Sequence, residues 1–164
     1  MKVLVADQLS DAGVQALAEH VEVDVRTGMS KTELLEAIGA YDGVVVRSAT
    51  TIDADVIAKA DRLKVIARAG IGLDNVDVAA ATARGVIVCN APQSNVISAA
   101  EHTVALLLAL ARSIPAADTS LRSGEWRRSA FQGVELHGKT LGVIGLGRVG
   151  VLVAQRCSAF GMKL

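Results

Sequence analysis

The sequence TLGVIGLGRVG at residues 140–150 decides the fold, because it holds three glycines in the spacing GxGxxG directly after an apolar segment. Each glycine of such a motif has a physical task. The first, Gly145, permits the tight turn out of a strand, and the second, Gly147, lets the backbone approach a pyrophosphate. The third, Gly150, lets the following helix pack closely on the strand. The motif therefore predicts a strand, a turn and a helix that together bind a dinucleotide.

The residues after the glycines support this interpretation. A helix that begins near Arg148 and Val149 would point its first backbone N–H groups at the phosphates. The next residues are apolar, so the motif stands between a strand and a helix, as dinucleotide binding requires. The alternative is that the glycines serve only the turn. The acidic residue expected about 20 residues past the motif would fall beyond Leu164, so the sequence leaves NAD and NADP undecided.

Upstream of the motif, strand-like and helix-like segments alternate with short connections. Five apolar stretches predict strands at residues 2–7, 21–26, 43–47, 63–69 and 85–89. Ser10, the capping box Ser30–Glu33 and Asp53 predict the starts of intervening helices. Because right-handed crossovers connect parallel strands, we expect an α/β fold with a parallel sheet covered by helices on both faces.

The second half of the chain begins with the longest predicted helix, residues 96–113, which lacks Gly and Pro and ends before Pro115. Next come a short helix, a loop-rich connection, a strand and a helix, predicted at 116–123, 124–138, 139–145 and 148–160. A new sheet with one strand and the stub of a second cannot bury its apolar faces alone. We therefore expect these residues to be part of a longer protein.

Composition and charge disfavour several classes of protein. Seventeen basic residues balance seventeen acidic ones, so no net field attracts nucleic acid. The longest apolar run, 104–111, is shorter than the roughly 18 residues that a membrane span needs. Cys89 and Cys157 lie in apolar stretches without metal-ligand spacing, so we expect buried reduced thiols and neither a metal site nor a disulfide. No signal peptide is visible, and we expect a soluble cytoplasmic protein.

The chain resembles the D-2-hydroxyacid dehydrogenase family in four segments: RSATT at 47–51, RAGIGLDNVD at 68–77, NAPQSNVISAAEHT at 90–103 and HGKTLGVIGLGRVG at 137–150. The resemblance implies a flavodoxin-like substrate-binding domain at residues 1–95. It also implies an interdomain helix and the beginning of an NAD-binding Rossmann domain at residues 96–164. NAD is the implied cofactor, and the implied substrate is a small anionic molecule.

Five residues match the family's substrate-binding positions closely. Arg47 and Ser48 match positions near the anionic groups of the substrate. A guanidinium suits a phosphate or carboxylate there because it can form two parallel hydrogen bonds; a strand-end arginine that is simply solvated is the alternative. Gly70, Ile71 and Gly72 match a loop whose backbone amides hold the substrate carboxylate, as an anion-binding nest does.

Other matched positions have both a structural and a functional interpretation. Asn75 either contacts the substrate or holds the loop of residues 70–72 in place. Arg68, like Arg47, has a guanidinium that suits an anionic group of the substrate. Arg128 matches a basic position that reaches a neighbouring subunit's active site in some relatives. Ser98 and Glu101 have capping-box spacing, and we expect them to cap the interdomain helix.

The implied reaction is the NAD-dependent oxidation of 3-phospho-D-glycerate. The His, Glu and Arg that perform the family's chemistry belong to segments after the first Rossmann βαβ unit, so we assign no catalytic residue and expect no activity from these residues alone. Two alternatives stay open: another 2-hydroxy acid of the glycerate, lactate or formate type, and an NAD-sensing co-repressor of the same fold. The resemblance also implies a homo-oligomer, as a dimer or tetramer.

Overall fold

The alternating segments of the first half form a five-stranded parallel sheet in the computed structural model, which describes residues 1–164. The strands are β1 (Lys2–Val5), β2 (Glu22–Val25), β3 (Gly43–Val46), β4 (Val65–Arg68) and β5 (Ile87–Asn90). Their order in the sheet is β2-β1-β3-β4-β5, and every neighbouring pair is parallel. This is the strand order of flavodoxin-like folds. The predicted fold class is confirmed.

Four helices connect these strands: α1 (Asp11–Ala18), α2 (Lys31–Ala37), α3 (Ala54–Lys59) and α4 (Val78–Ala83). The predicted caps are confirmed. Ser10 accepts a hydrogen bond from the Gly13 amide, and Ser30 and Glu33 form the complete capping box. Asp53 accepts from the Val56 amide at the start of α3. Such caps satisfy helix N–H groups that have no intrahelical partner, which is why the sequence located these helix starts.

The largest cluster of buried residues lies on one face of this sheet. Leu4, Val44 and Ile66 point from the central strands into a cluster formed with residues of α2, α3 and α4. On the other face, Val45 and Val65 are only half-buried. No residue of α1 is buried.

The second half of the chain forms a separate unit. Contacts divide the chain into Met1–Ser94 and Asn95–Leu164, one residue from the predicted limit of 1–95. The second unit contains α5 (Val96–Ala111), α6 (Ile114–Arg122), a 3-10 turn (Arg128–Phe131) and α7 (Arg148–Ala159). Its core forms where α5 packs on α7, around Ala100, Val104, Val153 and Cys157.

Two predictions about this unit were wrong. Residues 139–145 do not form a strand, because a strand needs a partner ladder and the structure provides only the single bridge Thr140–Lys163. Ser98 and Glu101 do not form a capping box: Asn95 is the N-cap of α5, and no side chain caps the helix. Glu101 instead pairs with Arg156 of α7 at 3.6 Å.

Other differences are smaller. α6 begins at Ile114 and includes Pro115 in its first turn, where a missing N–H costs little. Cys157 is buried as expected, and burial raises the pKa of its thiol. Cys89 is exposed, because β5 lies at the edge of the sheet.

No single helix is long and apolar enough to cross a membrane, and only the bent pair α5–α6 reaches the length and composition of a broken span.

Candidate functional site

The loop after β3 carries the first predicted substrate residues, Arg47 and Ser48. Both side chains are exposed at the carboxyl edge of the sheet, where ligands bind in open α/β folds. They line a hollow of about 310 Å³ together with Gln8 and with Thr27 and Gly28, which follow β2. The Arg47 Nη1 atom donates to the Gln8 carbonyl at 3.3 Å, so the guanidinium leans across the end of β1.

A buried carboxylate organises this loop. Asp7, just after β1, is 5% exposed. Its Oδ2 atom accepts hydrogen bonds from the backbone amides of Arg47 (2.6 Å), Ala49 (3.2 Å) and Thr50 (3.1 Å). Its Oδ1 atom accepts from the Thr50 hydroxyl at 2.6 Å. One side chain therefore holds three amides of a loop that lies some forty residues along the chain.

The carbonyl groups of the same loop are held from the other side. The Asn75 Nδ2 group donates to the carbonyls of Arg47 (2.8 Å) and Thr50 (2.5 Å). The Arg68 Nε atom also donates to the Arg47 carbonyl at 3.2 Å. Because Asn75 is 8% exposed and both its donors are used in the protein, its contacts favour the structural interpretation of this residue.

The glycine loop after β4 is held by residues that follow β5. The Gly70 carbonyl accepts from the Ala91 amide at 2.9 Å, and the Ile71 carbonyl accepts from the Asn90 side chain at 2.6 Å. The Gly70 amide donates to Arg68, but the amides of Ile71 and Gly72 donate no hydrogen bond within the chain. Two unpaired amides at a strand end are suited to an anion. The hollow that Arg47 lines does not include residues of this loop.

The Asp7 carboxylate makes the stability of the first unit depend on pH. Burial alone would raise its pKa, but the hydrogen bonds from Thr50, Arg47 and Ala49 outweigh burial and hold the pKa below its usual value of 3.8. The folded state therefore takes up this proton less readily than the unfolded state. The contribution of Asp7 is present above about pH 4 and is lost as the pH falls through the lowered pKa.

We expect Asp7→Asn to lower the free energy of unfolding at pH 7, and we expect its difference from the wild type to shrink towards about pH 3. As the pH falls through the lowered pKa, the wild-type carboxylate becomes protonated, and the difference between a charged and an uncharged side chain is progressively lost. Urea titrations followed by circular dichroism at the two pH values measure the difference. A difference that stays constant with pH would show that the charge is not what stabilises the loop.

The three glycines of the motif differ in what surrounds them. Gly145 has a φ of 95°, a left-handed conformation that side chains rarely adopt. A Cβ atom on Gly150 would overlap the Gly145 carbonyl oxygen, so this glycine allows α7 to approach the turn closely. A Cβ atom on Gly147 would meet nothing within 4 Å. The chain's own packing therefore does not require a glycine at 147.

The start of α7 completes this geometry. Gly147 is the N-cap residue, and no side chain caps the helix that begins with Arg148 and Val149. A helix N-terminus without a side-chain cap is a favourable place for a phosphate, because the helix dipole and the first N–H groups both attract negative charge. Space beside Gly147, close packing at Gly150 and this helix start together fit a dinucleotide.

Arg128 lies elsewhere in the second unit. It is exposed in the 3-10 turn and lines a hollow of about 240 Å³ with Leu121, Trp126 and Phe131. The hollow beside the glycine motif is a different one, lined by Leu146 and other residues of the motif's apolar segment and helix. The structure therefore does not bring Arg128 to the glycine motif. That Arg128 reaches the active site of a neighbouring subunit stays a prediction.

Asp7 is the residue that sequence reasoning missed. The available signal was its place directly after the buried stretch Val3–Ala6, since a carboxylate at the carboxyl end of a strand lies at the ligand-binding edge. Nothing in the sequence, however, indicated that its partners would be Arg47, Ala49 and Thr50.

The chain is similar to known proteins of one family. A family model described as D-isomer specific 2-hydroxyacid dehydrogenase, catalytic domain, matches residues 3–160. A relative named D-3-phosphoglycerate dehydrogenase from Mycobacterium bovis is 60% identical over 97% of the chain. Relatives of the same name from Methanocaldococcus jannaschii and Rattus norvegicus are 56% and 48% identical over 100% and 99% of the chain. The chain spans only 30–31% of the length of these relatives.

Solved structures show the same similarity. A protein from Thermus thermophilus has a TM-score of 0.92 at 39% identity, covering 99% of this chain and 54% of that one. An acyclic imino acid reductase in complex with NADPH has a TM-score of 0.88 at 30% identity over 100% and 55% of the two chains. A Staphylococcus aureus formate dehydrogenase in complex with NAD has a TM-score of 0.83 at 28% identity over 99% and 54%.

Proposed function

Because the chain belongs to the D-isomer specific 2-hydroxyacid dehydrogenase family, we propose that the whole protein oxidises 3-phospho-D-glycerate to 3-phosphooxypyruvate with NAD, the first step of L-serine biosynthesis. The observation that carries the proposal is the 60% identity, over 97% of this chain, to a relative named D-3-phosphoglycerate dehydrogenase. Fold alone would not select this substrate, since neighbours of the same fold act on lactate or formate.

In this proposal the second unit binds the cofactor. The pyrophosphate lies over Gly147, where the backbone is open, and is held by the first amides of α7, including those of Arg148 and Val149. Gly145 and Gly150 shape the turn and the close helix packing that this position requires. NAD, when bound, supplies the acceptor for the hydride that leaves carbon 2 of the substrate.

The first unit binds the substrate's negative charges. The Arg47 guanidinium and the Ser48 hydroxyl contact one anionic group at the carboxyl edge of the sheet. The unpaired amides of Ile71 and Gly72 hold the carboxylate. Asn75 acts indirectly, through the carbonyls of the loop that carries Arg47.

The proton from the substrate hydroxyl goes to a base that we place outside residues 1–164. The proposal therefore predicts that the whole protein reduces 3-phosphooxypyruvate with NADH, while this chain alone produces no measurable turnover. Oxidation of NADH, followed by absorbance at 340 nm, measures both. Turnover by the isolated chain would contradict the placement of the base.

The same assay tests the choice of substrate. We expect the whole protein to prefer 3-phosphooxypyruvate over pyruvate, glyoxylate and hydroxypyruvate. The reason is that Arg47 binds one anionic group and the amides of Ile71 and Gly72 bind the carboxylate. Preference for an unphosphorylated acid would assign the protein to another member of the family. Binding of NAD without turnover of any 2-oxo acid would favour the co-repressor class instead.

We also propose that the whole protein is a homo-oligomer. The support is the exposure of Leu106 and Leu110, two large apolar side chains one turn apart on α5. Large apolar side chains exposed next to each other are typical of subunit interfaces.

A further inference from the structure

One residue outside the assigned substrate positions controls the loop that carries them. We propose that Asp7 is a positioning residue for substrate binding: its carboxylate holds the backbone of residues 47–50 so that Arg47 and Ser48 are fixed toward the substrate. This inference rests on the proposed function and adds to it a residue that acts through others.

The first support is the number of donors that converge on one side chain. Asp7 accepts from the amides of Arg47, Ala49 and Thr50 and from the Thr50 hydroxyl. Backbone amides arranged in this way make an anion-binding nest. Here an internal carboxylate fills the nest, so these three amides are not available to an anionic substrate. The side chains of Arg47 and Ser48 are exposed and remain available for recognition.

The second support is that the loop is held from opposite sides. Asp7 accepts hydrogen bonds from the amides of the loop, while Asn75 donates to the carbonyls of Arg47 and Thr50. The Arg47 residue is therefore fixed at both its N–H and its C=O groups. Hydrogen bonds to a charged partner are roughly twice as strong as neutral ones, and all four hydrogen bonds that Asp7 accepts from this loop are of that kind.

The third support is electrostatic. Asp7 lines the same hollow as Arg47 and Ser48, close to where an anionic substrate would bind. A bare carboxylate there would repel the substrate, but four donors surround this one and offset its charge. Asp7→Asn removes this charge, but it also weakens the hydrogen bonds that hold the loop. We therefore expect weaker binding of the substrate.

The test compares Asp7→Asn with Asp42→Asn in the whole protein. Asp42 is a matched control because it is also a buried carboxylate, 7% exposed, of the same unit. It accepts from the Lys2 amide at 2.8 Å and pairs with Arg62 at 3.2 Å, at the opposite edge of the sheet. Both substitutions remove a buried charge, but only one touches the loop.

We expect Asp7→Asn to raise the KM for 3-phospho-D-glycerate about 10-fold or more, with kcat and the Kd for NAD changed less than about threefold. Asp42→Asn should lower the melting temperature and leave this KM unchanged. An unchanged KM in Asp7→Asn, or the same KM change in both variants, would overturn the proposal. If Asp7→Asn does not fold, Thr50→Val removes one donor to the same carboxylate and should raise the KM in the same direction.

Amide hydrogen exchange provides a measurement that needs no substrate. Asp7→Asn should accelerate exchange at Arg47, Ala49 and Thr50 about 10-fold or more relative to the wild type, while the β3 amides stay protected. Unchanged exchange at the loop would overturn the proposal whatever the kinetics. If the wild-type protein has no activity toward 3-phospho-D-glycerate, the proposed function fails, and exchange alone decides whether Asp7 orders the loop.

Discussion

Replacing Arg47 with alanine in the whole protein should raise the KM for 3-phospho-D-glycerate about 10- to 100-fold and leave the affinity for NAD within about twofold. The reason is that the guanidinium is exposed in a hollow at the carboxyl edge of the sheet. It can form charge-assisted hydrogen bonds to a phosphate or carboxylate. The cofactor, in contrast, is assigned to the glycine motif of the other unit.

Steady-state kinetics with each substrate varied in turn measure the two effects. Arg62→Ala is the matched control, because Arg62 is an exposed arginine at the opposite edge of the same sheet and pairs with Asp42. It should leave both constants unchanged. An equal loss of affinity for the substrate and for NAD in Arg47→Ala would remove Arg47 from the substrate-binding role.

Replacing Gly147 with alanine should raise the Kd for NAD about 10-fold or more without changing the melting temperature. The backbone at 147 is extended, and a Cβ atom there meets nothing in the chain, so the variant folds without strain. The new methyl group would instead occupy the space in which the pyrophosphate approaches the backbone. Gly150→Ala cannot make this distinction, because its Cβ would overlap the Gly145 carbonyl and disturb the fold.

Isothermal titration calorimetry of the whole protein with NAD measures the Kd, and a thermal melt measures the melting temperature. Gly142→Ala is the matched control: it lies in the segment just before the motif, and its Cβ would also meet nothing within 4 Å. It should leave the affinity for NAD unchanged. Normal NAD binding by Gly147→Ala would support the alternative that the glycines serve only the turn.

Some of the features behind these predictions can be recognised in the sequence, and others cannot. The sequence by itself determined the five strands, the helix starts at Ser10, Ser30 and Asp53, and the turn at the glycine motif. The helix starts and the turn depend on hydrogen bonds or steric contacts between residues only a few positions apart, and the strands were indicated by short runs of apolar residues. Local chemistry of this kind can be seen in a short stretch of sequence.

Only the tertiary structure decided the features that join distant segments. Residues 139–145 have the composition of a strand but pair with a neighbour at one bridge only, because strand formation requires a partner. Cys89 is exposed since β5 lies at the sheet edge, a consequence of the strand order and not of its apolar neighbours. Asp7 reaches Arg47, Ala49 and Thr50 only because β1 and β3 lie side by side in the sheet.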